Sequence, residues 1–259
     1  MSIPRTLTKP ESYRIGKVPV HVTSVSDARD RILAAVAAGE KGYVCVSNMR
    51  TVVAANRDSA YLDVMEHSLL NVPDGTPLVW CGKAWGLPVE RVVGLDLFTA
   101  LLKAGVPQFF LGDTDETLDA VVTKALSEGS VVAGAYSPPF APLEDYDLQG
   151  IAKRLTDSGA RIVWTSLRAP KQDFLAARLL PFVEDGVVFI GVGAAFRLYL
   201  GEYELDRGPL QKMGLGGLKM LRNTTVWKEM KWYVTHAWFL TGYLCSIIWK
   251  RLHGQAADR

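Results

Sequence analysis

Tyr43-Val-Cys-Val-Ser47, followed at once by Asn48, is the stretch from which the rest of the chain is read. Five apolar or small residues of strand character run straight into a good helix N-cap, and the pattern beyond Asn48 predicts a helix to about Met65. This is a β-to-α junction. It repeats. Leu69 to Val72 predicts a second strand ending at Asp74, with a helix from Thr76 to Trp85 behind it. Downstream, helix Leu95–Ala104, strand Gln108–Leu111, helix Thr117–Ser127 and strand Val131-Val132 follow. After a proline-rich loop at Ser137–Pro142 come helix Tyr146–Ser158, strand Arg161–Thr165, a helix from Gln172 to about Phe182 and strand Val187–Ile190. Strands alternating with helices imply a Rossmann-like α/β fold, a mainly parallel sheet with helices on both faces. Upstream, Met1 to Thr23 reads as an irregular lead-in, and Ser26 is the expected N-cap of a first helix.

Ligands on such sheets bind beyond the C-terminal ends of the strands. Asn48, Asp74, Gly112, Gln172 and Gly193 all follow predicted strands directly, which gathers them on one rim. Asp74 lies in Asn71-Val-Pro-Asp-Gly75, between a proline that fixes φ and a glycine that tolerates unusual angles. That setting holds a carboxylate at a strand end, where it can do proton chemistry. The same tripeptide also fits a plain turn or a cap for the next helix.

Composition narrows the class. The 259 residues are 49% hydrophobic, enough for a sizeable core, and the chain reads as globular. Cys45, Cys81 and Cys245 are widely spaced among apolar residues and fit neither a disulfide framework nor a metal site. The four histidines show no metal-ligand spacing, so no metal is expected. No Walker loop is present. Gly191-Val-Gly193-Ala-Ala-Phe196 lacks the third glycine of a dinucleotide fingerprint, which argues against nicotinamide chemistry and leaves a nucleotide-binding oxidoreductase as an alternative class. No charged-then-apolar signal segment opens the chain, so the body is expected in the cytoplasm.

The net charge of +2 conceals an uneven distribution. From Arg207 to Arg259 nine Lys/Arg stand against two Asp/Glu, leaving this tail at +7 and the body at −5. Within the tail, Trp232 to Trp249 contains no formally charged side chain and is flanked by Lys228, Lys231, Lys250 and Arg251. Aromatic residues near the ends and basic flanks suit a helix at the membrane headgroup interface, and favour lipid over nucleic acid. A core helix or a homo-oligomer contact is the alternative. The division expected is 1–209 as the α/β domain and 210–259 as a helical, membrane-associating appendage.

Three motifs in register carry a resemblance. Pro73-Asp-Gly75 with Glu90-Arg-Val-Val-Gly94, then Ala169-Pro-Lys-Gln-Asp173, then Gly191-Val-Gly193-Ala-Ala-Phe196 with Gly201 and Arg207-Gly-Pro209, together resemble the signature of the WecG/TagA/CpsF glycosyltransferases. Asn48 matches the asparagine of that family's Thr-x-Asn. The chain departs from the pattern at Val46 (threonine in the family), Leu167-Arg168 (small, glycine-rich positions), Asp173 (Glu), Arg197 (Asp), Leu200 (Ala) and Gly216-Gly217. The resemblance implies an inverting, metal-independent enzyme without a cofactor. It would move a sugar from a UDP-sugar donor to a polyprenyl-diphosphate-linked acceptor, as a peripheral protein on the cytoplasmic face of the inner membrane. Asp74 is then the general base, and Asn48, Arg91, Gly112, Lys171, Gln172 and Gly193 line the substrate pocket, although Arg91 equally suits a structural pair with Asp74. Lys219, Arg222, Lys228 and Lys231 of the tail would meet the donor diphosphate. Glucose onto lipid-linked glucose and N-acetylmannosamine, or its uronate, onto lipid-linked GlcNAc are both family precedents. A non-catalytic assembly factor is the remaining alternative.

Overall fold

The computed structural model describes residues 10–203 together with 241–243, 245, 247 and 249. Six parallel strands form its centre: β3 (Gly42–Ser47), β4 (Leu70–Pro73), β5 (Gln108–Gly112), β6 (Val132–Tyr136), β7 (Ile162–Ser166) and β8 (Val188–Gly191). Their spatial order is β4-β3-β8-β7-β5-β6. Successive residues point to opposite faces, so each strand feeds two cores. Tyr43, Cys45, Phe109, Leu111, Val163 and Phe189 pack to one side. Val44, Phe110, Ile162, Trp164, Val188 and Ile190 pack to the other.

The first side is covered by α2 (Met49–Arg57), α3 (Ser59–Glu66), α4 (Thr76–Ala84), α7 (Leu148–Ser158) and α8 (Lys171–Leu179). The second is covered by α1 (Val25–Ala38), α5 (Gly94–Leu102), α6 (Asp115–Ser127) and α9 (Ala195–Leu200). Because α2 leaves β3 toward one face and α9 leaves β8 toward the other, the chain parts between these two adjacent strands. That is the topological switch point, where ligands of such sheets bind. An aromatic cluster fixes the second layer around it. The Phe98 ring stands edge-on to Trp164 at 4.8 Å and to Tyr199 at 5.2 Å, tying α5 and α9 to the sheet.

Three local expectations are corrected. The lead-in is not irregular in its described part: β1 (Ser12–Ile15) and β2 (Val18–His21) form an antiparallel hairpin. Tyr13, Ile15, Val18, Val20 and His21 are fully buried, and the apolar residues alternating through Ser12–Ile15 before the Gly16-Lys17 turn were the available signal. The hairpin closes the β4 edge by side chains. The Asn71 N–H donates to His21 Nδ1 at 2.8 Å and the Asn71 amide donates to Pro19 O at 2.5 Å, which blunts an otherwise open strand. The first helix is capped by Ser24, two residues before the expected Ser26, because the Ser24 hydroxyl accepts from Asp27 N. The helix expected from Asn48 to Met65 is two helices, since Asp58 ends α2 and caps α3 through Ala60 N and Tyr61 N.

The proposed division at residue 209 and most of the aromatic tail lie outside the described residues. Within the described part of the tail, Ile247 is fully buried in the hairpin-side core. Tyr243 donates to Arg14 O and lies 3.5 Å from Trp85 Nε1. Among the described residues no helix is long and apolar enough to cross a membrane.

Candidate active site

The rim begins at the end of β4. Asp74 N and Gly75 N both donate to Ser47 O, at 2.8 and 3.4 Å, which draws the Pro-Asp-Gly turn against the end of β3. A Cβ on Gly75 would stand 3.3 Å from Asn48 Cα, tighter than ordinary contact, so glycine is what lets the two turns meet. Asn48 Oδ1 is committed to capping α2, accepting from Arg50 N at 2.9 Å and Thr51 N at 3.3 Å. Its amide N–H₂ is the group it can offer a ligand.

Extended Glu90–Val93 crosses the end of β4, anchored by Val92 N donating to Pro73 O at 2.9 Å. This brings in Arg91. Its Nε donates to Asp74 O and its Nη2 lies 3.3 Å from Asp74 Oδ1. Both side chains keep 27% of their surface exposed, so the pair is sheltered yet reachable. Burial raises the Asp74 carboxyl above the usual carboxylate range. The charge and hydrogen bond of Arg91 pull it back, and Asp96 pushes it up again. Such a group is a better proton acceptor than an ordinary surface carboxylate.

Next along the rim is Gly94, the first residue of α5, where a Cβ would lie 3.5 Å from Val192 O and 3.6 Å from Val46 Cγ1. Val46 therefore presents a methyl group where the resembled pattern has a hydroxyl. Ser47 does not substitute for it, because the Ser47 side chain is fully buried and its Oγ has no partner among the described residues.

The middle of the rim is held by β7, α8 and the turn after β8. Gly193 N donates to Gln172 Oε1 at 3.0 Å and Gly193 O accepts from Ser166 Oγ at 2.7 Å. Gln172 is 3% exposed, so its side chain shapes the turn at Gly193. Lys171 starts α8, donates to Ala141 O and lies 4.4 Å above the Tyr146 ring, which turns it toward the proline-rich loop. Gly112 and Asp113 both adopt positive φ at the end of β5, and Asp113 receives Arg197 through two hydrogen bonds of 2.6 and 3.1 Å. Arg197, a departure from the resembled motif, thus has its own carboxylate partner. Ser137 Oγ donates to Asp113 O and so ties the loop after β6 to the same rim.

Asp74, Asn48 and Arg91 are therefore in one cluster, Gly193 and Gln172 in a second, and Gly112 and Lys171 lie farther toward β6. Lys219, Arg222, Lys228 and Lys231 lie outside the described residues. Among the described residues no group of three or more His, Cys, Asp and Glu gathers as a metal cluster.

Sequence reasoning did not find Asp173 as a participant. It is 3% exposed, and its Oδ2 accepts from Tyr61 Oη at 2.6 Å. Burial pushes its carboxyl up to about 7, against the opposing hydrogen bonds of Tyr61, Gln172 and Cys45. An unfolded aspartate titrates near ~3.9, so the folded chain holds a proton that the unfolded chain has lost between about pH 4 and 7. Stability from this group is greatest below that window. It falls through the window by up to about 1.4 kcal/mol per pH unit and is level above it. Asp173→Asn removes the titration. The urea midpoint of this variant relative to wild type should therefore be higher at pH 8 than at pH 5, and a difference independent of pH would contradict the assignment.

A parallel sheet thus carries a sheltered carboxylate with a paired arginine at its C-terminal rim. The comparison with known families gives the class of protein. The model described as the glycosyl transferase WecG/TagA/CpsF family matches residues 13–251, nearly the whole chain, and the chain belongs to that family. It is a glycosyltransferase of cell-surface polysaccharide synthesis.

Proposed function

We propose that this chain is an inverting, UDP-sugar-dependent hexosyltransferase acting on a polyprenyl-diphosphate-linked saccharide. The observation that carries the reading is Asp74, held at the rim by Arg91 with a raised affinity for protons. As the acceptor hydroxyl attacks the anomeric carbon, Asp74 takes its proton. The new C–O bond forms on the face opposite the departing UDP, and the bond to the diphosphate oxygen breaks with its electron pair going to that oxygen. General-base assistance of this kind is worth ~10²–10⁴ in rate.

The leaving diphosphate needs positive charge. Lys171 with the first turn of α8 supplies it from the body, and Lys219, Arg222, Lys228 and Lys231 supply it from the tail, without a metal. Asn48 and Arg91 beside Asp74, Gly193 in the middle of the rim and Gly112 toward β6 would meet the substrates along that rim, with Gln172 acting through the turn at Gly193. The tail meets the cytoplasmic face of the membrane, where the lipid-linked acceptor resides, and the role is in exopolysaccharide assembly. Glucosyl and N-acetylmannosaminyl transfer are the preferred donor chemistries.

A UDP-release assay over a panel of UDP-sugars, with lipid-linked acceptors in vesicles, tests the reading. Release that depends on both donor and acceptor, and that survives EDTA, is expected. Absence of release across the panel, or loss of activity in chelator that added metal restores, would overturn it.

A further inference from the structure

A line of buried polar contacts enters the rim from α3. Tyr61 is 1% exposed and donates to Asp173 Oδ2, and the neighbouring Gln172 accepts the Gly193 N–H. Gly191 makes the room for them. A Cβ on that residue would stand 2.7 Å from Gln172 Nε2 and 2.9 Å from Asp173 Oδ1, closer than real Cβ atoms pack. The two side-chain ends thus occupy the space that a side chain at position 191 would fill. Three elements far apart in sequence meet there: α3, the first turn of α8 and the turn after β8.

We infer, resting on the rim as the site of transfer, that Tyr61 and Asp173 are positioning residues that hold Gln172 against Gly193 and so fix the turn after β8. A carboxyl group placed in a core costs stability, and well-packed apolar residues in its place often cost less. A hydrogen bond in a low-dielectric interior holds its two members in one arrangement, and Tyr61 fixes Asp173 through Oδ2, while Asp173 Oδ1 has no hydrogen-bond partner among the described residues. Here the polar pair adjoins the side chain that accepts the Gly193 N–H, while Ser166 Oγ holds the Gly193 carbonyl from β7. The Cys45 thiol faces the same carboxyl from β3, and burial keeps that thiol well above its usual range and therefore uncharged.

Full-length Tyr61→Phe deletes only the hydroxyl. The expected result is a fall in kcat of about tenfold with donor KM within about twofold, as misplacement of a positioned group produces. Hydrogen exchange of the peptide spanning 191–196 should quicken while that of α1 and α6 is unchanged. Gly191→Ala drives Gln172 and Asp173 from their places by a different route and should give the same local signature. The double variant should be no worse than the more severe single one, because both break one connection. A folded Tyr61→Phe protein with wild-type kcat and wild-type exchange at 191–196 would overturn the inference, as would faster exchange spread evenly over the core. Should the wild type release no UDP from any donor, the transfer assignment fails, and the exchange measurement still decides the positioning claim.

Discussion

Asp74→Asn is expected to lower kcat by ~10²–10⁴ while leaving the protein folded and able to bind UDP. The fold survives because the backbone makes the main attachments of this residue: Asp74 N donates to Ser47 O and Asp74 O accepts from Arg91 Nε. An asparagine keeps both, and its side-chain oxygen can still accept from Arg91 Nη2. What it loses is the capacity to take a proton. Circular dichroism and a UDP titration alongside the UDP-release assay separate the outcomes. Wild-type turnover in Asp74→Asn removes the residue from the base role, and loss of UDP binding with retained fold assigns it to recognition instead.

Arg91→Met is expected to reduce kcat by about 10–10² and to cost about 1–2 kcal/mol of stability. The side chain clamps Asp74 at the main-chain carbonyl and at the carboxylate, so its removal frees the orientation of the base as well as its charge. The partial exposure of the pair, 27% on each side, keeps the stability term small. Urea denaturation and steady-state kinetics on the same preparation check both numbers. A stability loss with unchanged kcat would make Arg91 a purely structural partner of Asp74.

Much of this architecture is legible in the chain because its signals are local. The junctions at Ser47-Asn48 and Val72-Pro-Asp74 announce themselves within a few residues, as an apolar run ending in a cap or a turn, and the rim follows from the rule for parallel sheets. The β1–β2 hairpin was missed because its strands have four residues each and Pro19 sits inside one of them. The break at Asp58 was missed because the apolar spacing continues across it, although Asp58 is itself a strong cap. The α9 helix was not expected either, being a single short segment of six residues after the glycine turn.

The strand order and the polar pairs are of another kind. Tyr61 meets Asp173 across 112 positions and Arg197 meets Asp113 across 84, distances over which periodicity carries no information. Asp173 registered only as a departure from a motif, because nothing in Pro-Lys-Gln-Asp reveals which carboxylate will be buried. Val46 shows the reverse case: its identity was plain, and its consequence became visible once Gly94 and Val192 were placed beside it.

The central claim is that the reaction needs the ionised carboxylate of Asp74, and the pH profile of kcat/KM for UDP release tests it most directly. Burial raises this group, so activity should fall as pH drops through a protonation lying above the ordinary value of a free aspartate. Because Arg91 holds the carboxyl down, Arg91→Met should move that acid limb to higher pH. A profile with no acid limb, or one whose limb stays in place when Arg91 is replaced, would contradict the account.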